Sequence, residues 1–175
     1  SGFGSGNTVS VIDTLTHASI KEIEVWQNPT TLISNGENVY LISIGKYDRE
    51  GLGALTVINS LTLTPTDTLT IPQNPGKAII ADNNLYVING NGLLKINITD
   101  SPLSYSLFIT GEKVNPISGV IYSLNFDYLD NHLLLGNCKD FMQNGDVKIF
   151  DMNGNKINEF DCGLNPGTIS LIFNN

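Results

Sequence analysis

Asn28-Pro29-Thr30-Thr31-Leu32-Ile33-Ser34-Asn35-Gly36-Glu37-Asn38-Val39-Tyr40-Leu41-Ile42-Ser43 is the stretch on which the fold turns. Two runs of strand-forming residues, 30–34 and 39–43, flank Asn35-Gly36, a dipeptide that favours tight hairpin turns. A Gly-rich loop spans residues 45–53. Leu55-Thr56-Val57-Ile58-Asn59 then reads as a third strand and Thr68-Leu69-Thr70-Ile71 as a fourth. We label the four strands A to D.

The fourth strand runs into a second Asn-Pro pair. Such pairs occur at Asn28, Asn74, Asn115 and Asn165, at intervals of 46, 41 and 50 residues. After Asn74 the pattern repeats, with A at 77–81, a turn at Asp82-Asn83-Asn84, B at 85–88, C at 93–97 and D at 106–110. After Asn115 it is longer by an apparent six-residue insertion around 117–127, before B at 132–137 and C at 147–151. Residues 1–7 align with a B–C loop, 9–13 with a C strand and 167–173 with a lone A strand. Four-stranded units at ~40–50 residues are the signature of a β-propeller, each unit one blade. The expectation is an all-β β-propeller of about four four-stranded blades, with residues 1–175 forming one domain or a fragment of a larger ring. Strand B of a closing blade is missing from the pattern, so a homodimer completing a ring is a further expectation.

The composition is that of a folded domain: 41% hydrophobic and 15% charged residues across 175 positions. A net charge of −8 without a Lys/Arg cluster argues against nucleic acid and anionic membrane surfaces as partners. No apolar run reaches the ~18 residues of a spanning helix. The sequence shows no signal peptide, and Ser1 is read as following a processed or deleted leader. Cys138 and Cys162 fall at the ends of a B and a D strand. Two strand spacings, roughly 9–10 Å, exceed disulfide reach, so two free, buried thiols are predicted.

Val9-Ser10-Val11-Ile12-Asp13, Val39-Tyr40-Leu41-Ile42-Ser43, Leu55-Thr56-Val57-Ile58-Asn59 and Leu85-Tyr86-Val87-Ile88-Asn89 resemble the repeats of YVTN/YncE-like propellers. The fit is best to surface lipoproteins of gut Bacteroidetes. Phe3-Gly4-Ser5-Gly6-Asn7 and Asn165-Pro166-Gly167-Thr168 resemble the two ends of that domain. The resemblance spans the whole chain and implies an extracytoplasmic, non-catalytic binding or cell-surface role, at the cell surface or in the periplasm, with a lipid anchor in the full-length protein. One branch of that family captures vitamin B12, so corrinoid or glycan capture is the implied variant. Family members usually carry about seven blades, roughly twice what this chain holds. Asp13-Thr14-Leu15 and Asp67-Thr68-Leu69 also resemble the O-glycosylation signal of Bacteroidetes.

Proline biases its predecessor toward extended backbone and suits the first position of a strand. The Asn-Pro pairs therefore place Asn28, Asn74, Asn115 and Asn165 on the rim formed by D–A loops, with Gln27 and Gln73 beside two of them. Their amides suit a neutral polar ligand, or each asparagine holds its own turn. The B–C loops open on the same rim. Tyr47, Asp48 and Arg49 in one loop, and Lys139, Asp140 and Phe141 in another, are recognition candidates or locally paired loop charges. Tyr122, Asn125, Asp127 and Tyr128 form a further set. Trp26 is either a stacking platform at the rim or an interblade residue. The ligand is read as a small molecule or a surface protein.

Catalytic sets are thin. His17 and His132 are the only histidines, and neither has metal-ligand spacing. Gly-x-Ser-x-Gly is absent. No cofactor or metal is predicted. A lyase or lactonase reading would have to draw on Asp127, Asp140 and His132 of a single repeat.

Overall fold

The computed structural model describes residues 6–46, 52–72, 74–90, 92–114 and 120–172. Tyr47, Asp48, Arg49, Gln73 and Asn115 lie outside the described residues. Four antiparallel sheets follow one another along the chain. The first is a pair, β1 (Thr8–Ile12) and β2 (Ser19–Glu24). The second is β3 (Pro29–Ser34), β4 (Asn38–Ser43), β5 (Gly53–Asn59) and β6 (Thr64–Ile71), hydrogen-bonded in that order. The third is β7 (Pro75–Ala81), β8 (Asn84–Asn89), β9 (Gly92–Asn97) and β10 (Tyr105–Ile109). The fourth is β11 (Ile121–Asp127), β12 (His132–Asn137), β13 (Asn144–Phe150) and β14 (Lys156–Leu164). This is the meander of propeller blades. The first blade contributes its C and D strands, and the next three are whole.

The A strands converge, with β7 touching both β3 and β11. Three apolar clusters join the blades in series. Val9, Val11 and Ile23 pack on Leu41 and Ile58 between the first and second blades. Tyr40, Ile42 and Leu55 meet Leu85, Val87 and Ile96 between the second and third. Tyr86, Ile88 and Leu93 meet Phe126, Leu133 and Phe150 between the third and fourth. Burial grades from the middle of each blade outward: β4, β5, β8 and β9 are almost wholly buried, whereas β14 is exposed along most of its length. Central strands have sheets on both faces, so they read as continuous apolar runs.

Residues 9–43 and 55–89 align at one offset of 46 positions without a gap, strand on strand. The equivalence holds in the turns. Asp13 Oδ1 accepts the amides of Leu15 and Thr16, both at 2.8 Å. Asn59 Oδ1 accepts those of Leu61 and Thr62 at 3.0 and 2.9 Å. His17 and Leu63, equivalent in the repeat, both adopt positive φ, 57° and 54°. Asn97 and Asp151 cap the C–D turns of the other two blades in the same way.

Four expectations are corrected. The asparagines of the Asn-Pro pairs are not extended: Asn28, Asn74 and Asn165 have φ of 54°, 52° and 52°. The chain must reverse from D to A there, and asparagine tolerates the left-handed region better than other side-chain-bearing residues. The fourth A strand, β11, occupies much of the stretch read as an insertion. The extra residues precede it, after a helical turn, α1 (Gly111–Val114). Residues 165–172 form no strand. An A strand pairs only with its own B strand, and none follows among the described residues. The segment is instead held on β11 by side chains: Ser123 Oγ donates to Pro166 O (2.6 Å) and Asn125 Nδ2 to Ile169 O (2.8 Å). Finally, both thiols are free, but only Cys138 is buried and Cys162 is half-buried on the outermost strand.

Candidate functional site

The D–A loop ahead of β3 and the B–C loop after β4 lie against each other. Gly45 N–H donates to Gln27 O and Ile44 N–H to Asn28 O, both at 3.0 Å. Asn28 Nδ2 donates to Gly45 O at 2.7 Å, and Asn28 N–H to Gly6 O at 2.7 Å. Asn28 is therefore a buried clamp between loops, not a rim group free for a ligand. Gly45 has φ 81°, and a Cβ there would run into the carbonyl of Leu52. Only glycine lets the two arms of the B–C loop approach this closely.

Above this clamp is an open cavity of about 320 Å³ lined by Val25, Trp26, Gln27, Lys46 and Leu52. Trp26 is 39% exposed and Leu52 likewise 39%. An indole face, an aliphatic side chain, a carboxamide and an ammonium thus share one concave surface. Such a surface can stack a planar or sugar-ring ligand and hydrogen-bond it at its edge. Trp26 and Gln27, both rim candidates in the sequence, line this cavity. Leu52 was not anticipated, because the sequence reading places it in the 45–53 loop and assigns it no role. Lys46 was anticipated only as part of its loop.

The fourth-repeat candidates divide. Asp140 accepts from Met142 and Gln143 N–H, both at 3.0 Å, and from Gln143 Nε2 at 2.7 Å. The Gln143 side chain, followed by the Met142 amide, holds the Asp140 carboxyl below its ordinary 3.8. Lys139 pairs with Asp146 at 3.4 Å. Both charges serve their own loop. Phe141 is exposed and packs edge-on against Tyr122, ring centroids 5.8 Å apart at 89°. Lys77 Nζ lies 5.6 Å from the Tyr122 ring centroid and donates to Gly167 O at 2.8 Å. Lys77, Tyr122 and Phe141 form a second aromatic-cationic cluster on the D–A/B–C rim. Asn74 and Asn165 are exposed.

Tyr122 and Tyr128 are not one site. They lie at opposite ends of β11, and seven residues of strand span roughly 20 Å. Tyr128 borders a cavity of about 620 Å³ at the A–B turns, lined by Ile33, Ile80 and Asp82 among others. Its hydroxyl is bonded to Ile80 O at 3.3 Å. Asp127 Oδ1 caps the amides of Leu129 and Asp130. Asp127 sits opposite His132 in the β11–β12 ladder, whereas Asp140 lies beyond the other end of β12. These three do not converge. Among the described residues no group of three His, Cys, Asp or Glu could hold a metal, and no helix is long and apolar enough to cross a membrane.

No family model and no curated protein matches the chain. Solved structures do. Hydrazine synthase of Kuenenia stuttgartiensis is similar over 90% of this chain and 44% of its own, at 14% identity and a TM-score of 0.71. The AfRom2 CNH domain is similar over 95% of this chain and 56% of its own, at 12% identity and a TM-score of 0.68. The dihydro-heme d1 dehydrogenase NirN, in complex with DHE, is similar over 92% of this chain and 35% of its own, at 10% identity and a TM-score of 0.64. The chain spans about half or less of the length of these structures. At identities of 10–14% the likeness carries the fold and leaves catalysis open. With its four serial antiparallel sheets, the chain has a β-propeller fold.

Proposed function

We propose that this propeller arc is an extracytoplasmic, non-catalytic binding module that holds a small ligand on its D–A/B–C rim. The observation that carries the reading is the Trp26–Gln27–Lys46–Leu52 pocket, set on loops clamped by Asn28 and Gly45. An exposed indole in a concave site on a rigid clamp suits recognition more than packing. The resemblance of the strand phrases to YVTN/YncE-like surface lipoproteins supports a cell-surface setting and narrows the ligand to a corrinoid or a neutral glycan. Both classes offer what the pocket can use: an extended ring face for Trp26 and polar edges for Gln27 and Lys46.

The test is thermal stability in the presence of cobalamin, cobinamide and neutral oligosaccharides, in wild type and in Trp26→Ala. A ligand that binds only the native state raises its melting temperature. The expected result is a dose-dependent rise that Trp26→Ala loses. A rise that survives the substitution moves the site elsewhere, and no rise with any member refutes these ligand classes.

A further inference from the structure

The repeat separates what is common to the D–A/B–C rim from what is added to it. In the third blade β8 and β9 pair as far as Asn89 and Gly92, so residues 90–91 are its whole B–C loop. The second and fourth blades carry longer B–C loops, 44–52 and 138–143. Trp26 stands where the repeat places Pro72 in the next blade, at the same offset of 46. The two aromatic clusters of the rim sit at the two long loops. Trp26 shares its cavity with Lys46 and Leu52 at the second blade. Phe141 packs on Tyr122 at the fourth.

Between the clusters lies the short-looped third blade, which leaves the space between the long loops open. Asn74, where that blade begins, is exposed, whereas its repeat equivalent Asn28 is buried in the loop clamp. Its carboxamide can both donate and accept. At the ~10 Å face-to-face spacing of packed sheets, two blade steps set the clusters roughly 20 Å apart. Each cluster joins rings to an ammonium, Lys46 at one end and Lys77 at the other. Lys77 donates to Gly167 O and, with three donor protons, keeps others for a ligand. The nearby acids are already engaged: Asp140 within its own loop, and Asp146 by Lys139 and Lys148.

A ligand confined to the cavity of about 320 Å³ meets only the Trp26 end. Two aromatic platforms with amides and ammoniums at their edges suit a chain of hydroxylated rings. An extended peptide binds by adding to an open sheet edge, and the rim presents loops and strand ends instead. A net charge of −8 opposes a nucleic-acid strand.

We propose that the rim of the second to fourth blades is one elongated site for an uncharged oligosaccharide. Trp26 stacks on one sugar ring, Phe141 with Tyr122 on another, and Asn74 hydrogen-bonds the hydroxyls between them. The proposal rests on the reading of the Trp26 pocket as a ligand site and extends it across two blades.

The experiment probes a microarray of neutral oligosaccharides, graded from disaccharide to octasaccharide, with the 175-residue chain. The strongest series is then titrated by calorimetry, with cobinamide as a compact comparison. The expected result is affinity that grows with chain length. For the longest member Trp26→Ala and Phe141→Ala each weaken binding at least ~10-fold, whereas for the disaccharide only Trp26→Ala does. Lys77→Gln, which leaves the rings in place, weakens the longest member at least ~3-fold. All three side chains are exposed, so the variants should fold, and circular dichroism verifies it. Long-chain binding lost in Trp26→Ala but indifferent to Phe141→Ala and Lys77→Gln overturns the elongated site and leaves the pocket standing. Binding of cobinamide without any oligosaccharide does the same. Binding indifferent to Trp26→Ala removes the pocket and the elongated site together, as does no binding at all.

Discussion

Pro75, the proline of the second Asn-Pro pair, sits directly on Gly53, the residue that opens strand C of the preceding blade. A Cβ at Gly53 would lie 2.6 Å from Pro75 Cγ and would also collide with the Ser43 carbonyl. The last blade repeats the arrangement: a Cβ on Gly145 would lie 2.8 Å from Pro166 Cδ. Each proline thus seats the start of one A segment against the C strand before it. Replacing Gly53 by alanine should destabilise the chain by about 1–3 kcal/mol, the range for overpacking. Urea denaturation measures this, and a loss below ~0.5 kcal/mol would mean the contact yields freely.

Tyr40 and Tyr86 occupy the same repeat position but differ in their partners. Tyr40 Oη accepts a hydrogen bond from Asn35 Nδ2 at 3.3 Å. The equivalent of Asn35 is Ala81, and the Tyr86 hydroxyl is buried without a partner among the described residues. Burial, reinforced by Asp82, pushes Tyr86 up to about 12. Removing an unsatisfied hydroxyl relieves its desolvation cost, whereas removing a satisfied one forfeits a bond. Tyr86→Phe should be neutral or stabilising by up to ~1 kcal/mol, and Tyr40→Phe should cost about 0.5–1.5 kcal/mol. Equal costs in chemical denaturation would contradict the assignment.

The fourth blade buries a charge pair where the third blade is apolar. Lys148 and Asp146 form an ion pair, extended to Glu159 at 3.2 Å and to Asn137 Nδ2 at 3.3 Å. Their repeat equivalents are Leu94 and Gly92. Lys148→Ala leaves the buried Asp146 with the half-exposed Lys139 as its cation and the Asn137 amide as a donor, and should cost about 3 kcal/mol. The double change Asp146→Gly with Lys148→Leu copies the third blade and should recover most of that loss. Thermal denaturation of both variants decides, and a double variant no more stable than the single would show that the repeat positions are not interchangeable.

Asp13 adds a pH dependence that its repeat partner Asn59 lacks. The amides of Thr16 and then Leu15 hold the Asp13 carboxyl below its ordinary 3.8. A depressed carboxylate adds stability that is fully present above its unfolded value and is lost as pH falls through the lowered folded value. Asp13→Asn keeps the accepting oxygen and removes the titration. The two proteins should therefore have parallel stability profiles at neutral pH and diverge below 3.8, where wild type loses more. Profiles parallel throughout the acid range would remove Asp13 as the cause.

Strand identity was legible because propeller blades repeat their pattern: 39–43 and 85–88 match observed B strands to within a residue. The turn asparagines were misread because the rule for residues preceding proline describes average sterics. At Asn28 the hydrogen bond to Gly45 O, 17 residues away, selects the left-handed state. The fourth A strand was displaced because the extra length between Asn115 and Asn131 was read as an insertion around 117–127, although Ser123-Leu124-Asn125-Phe126-Asp127 alternates as a strand does. Of the cavity lining, Trp26 and Gln27 were named from their place beside a repeated motif. Leu52 was not, and Tyr122 and Phe141 were named in separate sets, because their meeting with each other and with Lys77 depends on segments distant in sequence.

Trp26 is the only tryptophan in the chain, so its emission reports on the proposed pocket alone. The most direct test titrates cobinamide, cobalamin and neutral oligosaccharides against wild type and Lys46→Ala while recording tryptophan fluorescence, corrected for corrinoid absorbance. The account predicts saturable change with one ligand class, at a midpoint shifted at least ~3-fold by Lys46→Ala. Emission unchanged by every ligand, or a saturable change indifferent to Lys46, would contradict it.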